Sequence, residues 1–403
     1  MRNILGPHAR STGRGRWRRL AAVVVPAVCF AVIARGDVGV AQTTALAVQV
    51  PTPARAVYGG DGREHVAYDL LTSNGFTAPV KLVSLQVRGG GRVLLTLRGT
   101  ALAAFTFPLF GVTSTATISP SSSVKTLVDV VLPRSFGRTW PKQLTNVLGY
   151  SLPPNTPVRA AIGSTIVDGP TIQTSSRAPI LIASPLRGSG WIDANGCCGD
   201  PTSSHRQALL PMDGSYRTLE IFAIDWIREI NGTYFKGDGT KRTDYVYYGT
   251  PIHAVANGVV VSAINNRPEV PPNTTTDQNH TVHTPADLSG NSVIEKIAPG
   301  EYATYAHMQT GSLRVQVGQR IRTGQVIGLL GNSGNTTGPH LHFGIVDGPR
   351  FFSNSLPFAL SSFIVQGEVA GGGPTPGTIR IIGTPRRATQ AEPLINTVID
   401  LGP

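Results

Sequence analysis

The residues most able to do chemistry in this sequence are two histidines one residue apart. His340 and His342 flank Leu341 in the stretch GNSGNTTGPHLHFGIVDG, residues 331–348. In a strand, alternate side chains share a face, so both imidazoles project the same way. One can ligate a metal while the other handles a proton beside it. Gly331, Gly334 and Gly338 allow the tight turns that fix where such a strand begins. A second stretch, YATYAHM at 302–308, puts Tyr305 and His307 on one face of a predicted strand, where the histidine could hold a proton or steady an oxyanion. A third, EIFAIDWI at 220–227, sets Asp225 among apolar residues, and a buried carboxylate needs a partner or a metal. Of nine histidines, seven fall within 179–366: these three, His205, His253, His280 and His283. His253 lies in the turn-and-strand stretch YYGTPIHAVANGVVV and is assigned to packing.

These residues require a β-rich frame. The His-x-His follows VQVGQRIRTGQVIGLLGNSG, a ladder of short strands and glycine turns. Polar stretches at about 228–244 and 265–290 read as long loops bordering a cleft. Upstream, bursts such as KLVSLQV, GRVLLTL and SVKTLVDVVL alternate apolar and polar residues. The predicted fold is all-β. An immunoglobulin-like β-sandwich spans 42–178 and carries no catalytic cluster. A β-rich chemical module spans 179–366. Residues 367–403 are a linker, GEVAGGGPTPG, and a tail with some strand character.

The order Asp225, GTPIHAVANGVV, YAHM and GNSGNTTGPHLH resembles the lysostaphin-type, or LytM-like, zinc metallopeptidases, which are secreted bacterial peptidoglycan endopeptidases. The likeness covers about residues 200–348. It implies a lysostaphin-like peptidase fold, a zinc cofactor, hydrolysis of peptide bonds in peptidoglycan, Asp225 and His342 as metal ligands, and His307 and His340 as the pair that handles the water and the oxyanion. One position departs from the family pattern, which has histidine four residues before the aspartate. Here that residue is Ile221, so zinc would lack a third protein ligand. A replacement follows from the hairpin signal at Asp213-Gly214. If the loop is Met212–Gly214, Pro211 faces Ser215 and His205 falls opposite Ile221. A two-residue loop shifts the pairing and turns His205 to the other face, leaving it a surface histidine beside Arg206. His280 and His283 are then the remaining candidates.

Bulk features fit an exported wall enzyme. Arg2, Arg10, Arg14, Arg16, Arg18 and Arg19 precede an apolar run, Leu20–Ala34, and the small residues Gly39-Val40-Ala41. That pattern predicts a signal peptide at 1–41 and a secreted or cell-envelope location. The run is short against the ~20 residues a retained membrane anchor needs. Removing 1–41 lowers the net charge from +12 to +6, which suits an acidic wall polymer and does not call for nucleic acid. Cys197 and Cys198 are adjacent, which suits a local pair rather than a disulfide framework or a metal-thiolate site. A biotin- or lipoyl-type carrier is excluded, because the last lysine, Lys296, precedes the hairpin that would present it. The alternative to an enzyme is a wall-binding or activator module of the same fold that has lost its metal at Ile221.

Overall fold

The computed structural model describes residues 43–133, 141–156, 159–175, 177–370 and 379–402. The proposed signal segment lies outside them. The fold is all-β, as expected. No helix among the described residues is long and apolar enough to cross a membrane.

Two five-stranded antiparallel sheets form the N-terminal part. One runs Leu46–Gln49, Arg63–Asn74, Ser123–Pro133, Thr106–Pro108, with Arg55–Tyr58 also on Arg63–Asn74. The other runs Ile166–Gln173, Gln143–Ser151, Val80–Gly89, Arg92–Arg98, with Thr117–Ile118 also on Val80–Gly89. Val66, Tyr68 and Leu70 from one sheet meet Leu82, Leu85 and Leu148 from the other in a shared core. Period-two alternation produces this packing, because every second side chain faces the opposite sheet.

The outward positions of the first sheet are not solvated. His65, Ala67, Asp69, Leu71, Lys125 and Asp129 alternate with the core residues, and residues 197–222 of the next module cover them. Cys197, Cys198, Ile221 and Phe222 pack against Val57 and Ala67, while Leu209 packs against Leu71 and Leu109. Burial on both faces explains why REHVAYDLL does not alternate cleanly. Under this cover, His65 Nδ1 lies 2.9 Å from Asp129 Oδ2, and Nε2 lies 3.4 Å from Asp61. Burial disfavours the charged ring, but Asp129 and Asp61 outweigh it and push the pKa up to about 9. A folded-state pKa above the unfolded value of ~6.5 stabilises the fold at low pH, and that contribution is lost as pH rises through about 9. Urea unfolding should therefore show roughly 3 kcal/mol less stability at pH 10 than at pH 6 from this group. His65→Gln should remove that slope; an unchanged slope would mean that the ion pair is not its source.

The second module is built on a thirteen-stranded sheet. Its centre runs Gly188–Ala194, Ile224–Arg228, Leu341–Val346, Glu301–Met308, Asn291–Ala298. Trp191, Trp226, Tyr305 and Phe343 fill the core beneath it. The C-terminal segment read as a tail is part of this sheet. Thr397–Leu401 lies between Phe358–Ala370 and Gly188–Ala194, burying Val398, Ile399 and Leu401. Residues 367–370 of the expected linker extend Phe358–Ala370, and 371–377 lie outside the described residues.

Candidate metal centre

Three neighbouring strands bring the histidines and the carboxylate together. Asp225 pairs directly with His342, and His342 in turn pairs with Ala306. His342 Nδ1 is 3.0 Å from Asp225 Oδ1, and His340 Nε2 is 3.4 Å from the same oxygen. His340 and His342 thus face one way, as alternation requires.

His307 arrives differently from the expectation. Tyr305 and His307 do not share a face. Tyr305 is fully buried in the core, where its hydroxyl donates to Glu295 Oε2 at 2.7 Å and accepts from the Val255 N–H at 2.9 Å. Alternation alone would send His307 there too. Instead its φ is +62°, a left-handed value, and the pairing with Asn291–Ala298 shifts register beside it. The ring lands among the other histidines, its centroid 4.6 Å from His340 and 5.9 Å from His342. Left-handed backbone at a non-glycine residue is costly and concentrates at functional sites.

His205 is present too, by a route other than the one expected. Met212 pairs with Ser215, so Asp213-Gly214 is a two-residue loop, both residues at positive φ, as a type I′ turn demands. The hairpin pairs Leu209 with Thr218 at its open end, and the 205–221 pairing does not form. His205 lies in the turn 204–207 that precedes it. Its Nδ1–H donates to Ala223 O at 3.0 Å, which leaves Nε2 3.3 Å from Asp225 Oδ2. The ring centroid is 4.9 Å from that of His342. One ligand atom from each of His205, Asp225 and His342 lies within 4.8 Å of the other two. Two imidazole nitrogens and a carboxylate oxygen are donors that zinc commonly takes, and three protein ligands leave one position open.

These side chains line a pocket of about 400 Å³ together with Asn195, Glu220 and Phe351. Sequence reasoning missed those three, since none stands at a spacing tied to the histidines. Asn195 Nδ2 donates to Asp225 Oδ2 at 2.9 Å, Glu220 Oε1 is 3.9 Å from His342 Nε2, and the Phe351 ring centroid is 5.2 Å from that of His342. His253 is buried elsewhere, on Pro251–His253, and its pKa is lowered by burial and by Arg187. His280 and His283 do not line the pocket.

Burial opposes charge throughout this site, and the neighbours decide each group. For His205, burial disfavours the cation, but Asp225 and Glu220 push the pKa up to about 10. For Asp225, burial favours the neutral acid, but His205 and His340 hold it well below the usual carboxylate range. Burial, then His340 and His342, drive His307 well below the usual imidazole value. His340 moves up, because Asp225 outweighs burial. His307 Nδ1–H donates to Ser333 O and His340 Nδ1–H to Gly338 O, each at 2.8 Å, so Nε2 is the nitrogen each has left for chemistry.

Residues 241–352 match peptidase family M23. That stretch contains His307, His340 and His342 and begins beyond His205 and Asp225. Over 116 residues the chain is 34% identical to the peptidoglycan DD-endopeptidase ShyC of Vibrio cholerae, covering 27% of this chain and 22% of that protein. It is 35% identical over 98 residues to ShyA of the same organism, covering 24% and 18%. The alignments thus span about a fifth of the length of these relatives. Among solved structures, the catalytic domain of lysostaphin from Staphylococcus simulans is 20% identical, with 42% of this chain and 86% of that one covered at a TM-score of 0.22. Residues 241–352 therefore carry a peptidase family M23 domain.

Proposed function

We propose that this protein is an exported zinc endopeptidase that hydrolyses peptide bonds in peptidoglycan cross-links. The observation that carries the reading is the convergence of His205, Asp225 and His342, each with a ligand atom within 4.8 Å of the others, beside His307 and His340. The likeness to peptidoglycan endopeptidases supports the substrate class. The basic, then apolar, start of the sequence supports export to the cell envelope or medium.

In this reading His205 Nε2, an Asp225 carboxylate oxygen and His342 Nδ1 hold the metal. A zinc ion held there would supply Lewis-acid chemistry, polarising the scissile carbonyl and acidifying a water. The protein's own part is positional. Ala223 O fixes the tautomer of His205, and Asn195 turns the Asp225 carboxylate by engaging Oδ2. His307 and His340, each anchored through Nδ1–H, present Nε2 to the reacting atoms. One takes the proton from the attacking water, and the other donates to the oxyanion or the departing amine.

Metal analysis of the purified chain, with digestion of purified peptidoglycan, tests this. About one zinc per chain is expected, with peptide release that stops on chelation and returns with zinc. A chain that binds wall but holds no zinc and releases no peptide would instead be the degenerate module suggested by Ile221.

A further inference from the structure

His205 sits in a turn, where no strand neighbour fixes it, yet a metal ligand must be held to within about 0.5 Å. The N-terminal sandwich supplies several of the restraints on the turn. The next residue, Arg206, is 1% exposed. Its guanidinium donates to Asp69 Oδ1 at 3.2 Å and Val128 O at 3.3 Å, both in the sandwich, and to Cys198 O at 3.0 Å. The residue after it, Gln207, accepts a hydrogen bond on its carbonyl from Lys125 of the sandwich, which also donates to Leu109 O at 3.1 Å. On the side of the site, Asn195 closes the clamp. Its Oδ1 accepts from the Ser204 N–H at 3.2 Å and its carbonyl from Ser203 Oγ at 2.6 Å, while Nδ2 engages Asp225.

We propose that the sandwich is a working part of the metal centre, in which Asp69 and Lys125 act through Arg206 and Gln207 as positioning residues for His205. The proposal rests on His205 being a metal ligand. The chemistry of the contact supports it. The side chains of Asp69 and Arg206 are both 0% exposed, and neither lines the catalytic pocket. A buried ion pair is a poor source of stability compared with apolar packing of the same volume, but it imposes direction and register. Here the direction it imposes is that of the turn carrying His205. A second module fixed in this way would make the peptidase half incomplete without its N-terminal partner, so the sandwich has a role in the site although it contributes no ligand to it.

The test uses the full chain and a double variant, Asp69→Leu with Arg206→Met, which replaces the ion pair with apolar side chains, while the buried Lys125 keeps its carbonyl acceptors on Leu109 and Gln207. Zinc affinity, read by competition with a chromophoric chelator, should fall about 10–100-fold, as for other loss of ligand support. Leu85→Ala, a core substitution on Val80–Gly89 of the other sheet of the sandwich, should lower the melting temperature and leave zinc affinity unchanged. Wild-type affinity in a folded double variant would overturn the proposal, and so would an equal loss of affinity in Leu85→Ala. Hydrogen exchange of amides 203–207 in the metal-free chain reads the same coupling without zinc. Faster exchange confined to that turn in the double variant supports the proposal, and unchanged protection overturns it. A wild-type chain that binds no zinc would defeat the metal reading itself, and the exchange result would still decide whether the sandwich holds the turn.

Discussion

His205→Ala should take zinc content from about one per chain to near zero, and hydrolysis with it. A three-ligand site cannot spare a ligand, and the imidazole lies 3.3 Å from Asp225 through the nitrogen that Ala223 leaves available. Asp225→Ala and His342→Ala should behave alike. Putting histidine back at 221 in the His205→Ala chain should not restore binding. Ile221 is 3% exposed and packs with Cys197, Cys198 and Phe222 against Val57 and Ala67 of the sandwich. An imidazole there would enter an apolar contact with its polar atoms unpaired. The local fold has given that position to the inter-module contact, and the proposed metal nitrogen lies in a turn sixteen residues earlier. Metal analysis of the purified variants decides the point. Full zinc occupancy in His205→Ala would remove it from the ligand set, whereas zinc regained with histidine at 221 would mean that the contact yields more readily than its burial indicates.

How much of this was legible beforehand depended on whether a residue's position follows from local periodicity. The His340-x-His342 pair was legible because strand alternation is enforced by the backbone, and both rings do face Asp225. The all-β class was legible for the same reason. Sequence reasoning points to His205 for the nitrogen absent at 221, yet the three-residue hairpin loop that would pair the two does not form. Asp213 and Gly214 both take positive φ, which closes the turn in two residues, and the ladder stops at Leu209–Thr218, short of 205 and 221. Alternation puts His307 on the face of Tyr305, and its own left-handed backbone breaks that alternation. Asn195 and Glu220 had no spacing to betray them, because they reach the site from a strand end and a bend that only tertiary folding brings alongside. The segment after 378 was underestimated because the glycine- and proline-rich stretch before it reads as an exit from the domain. Val398, Ile399 and Leu401 return instead to the sheet, filling the place between Phe358–Ala370 and Gly188–Ala194.

Substituting His307 or His340 should separate chemistry from metal binding. Neither belongs to the His205–Asp225–His342 set, and each is tied down through Nδ1 to a backbone carbonyl; His340 also meets Asp225 Oδ1 at 3.4 Å, but that oxygen keeps His342 at 3.0 Å when His340 is removed. His340→Ala should keep about one zinc per chain and slow peptide release by ~10²–10⁴-fold, the usual effect of losing a positioned acid or base. At 307 asparagine is the cleaner replacement, because it tolerates the left-handed backbone that the native residue adopts. His307→Asn should give a loss of the same order with its zinc intact. In the proposed reading the two rings, 4.6 Å apart, act at one reacting centre, so combining the substitutions should cost far less than the product of the single losses. Metal content and initial rates on purified peptidoglycan, measured on the same preparations, separate the outcomes. Rates near wild type in both single variants would make these histidines structural. Loss of zinc in His340→Ala would place it among the ligands instead, and fully multiplicative losses in the double variant would mean that the two imidazoles act in independent steps.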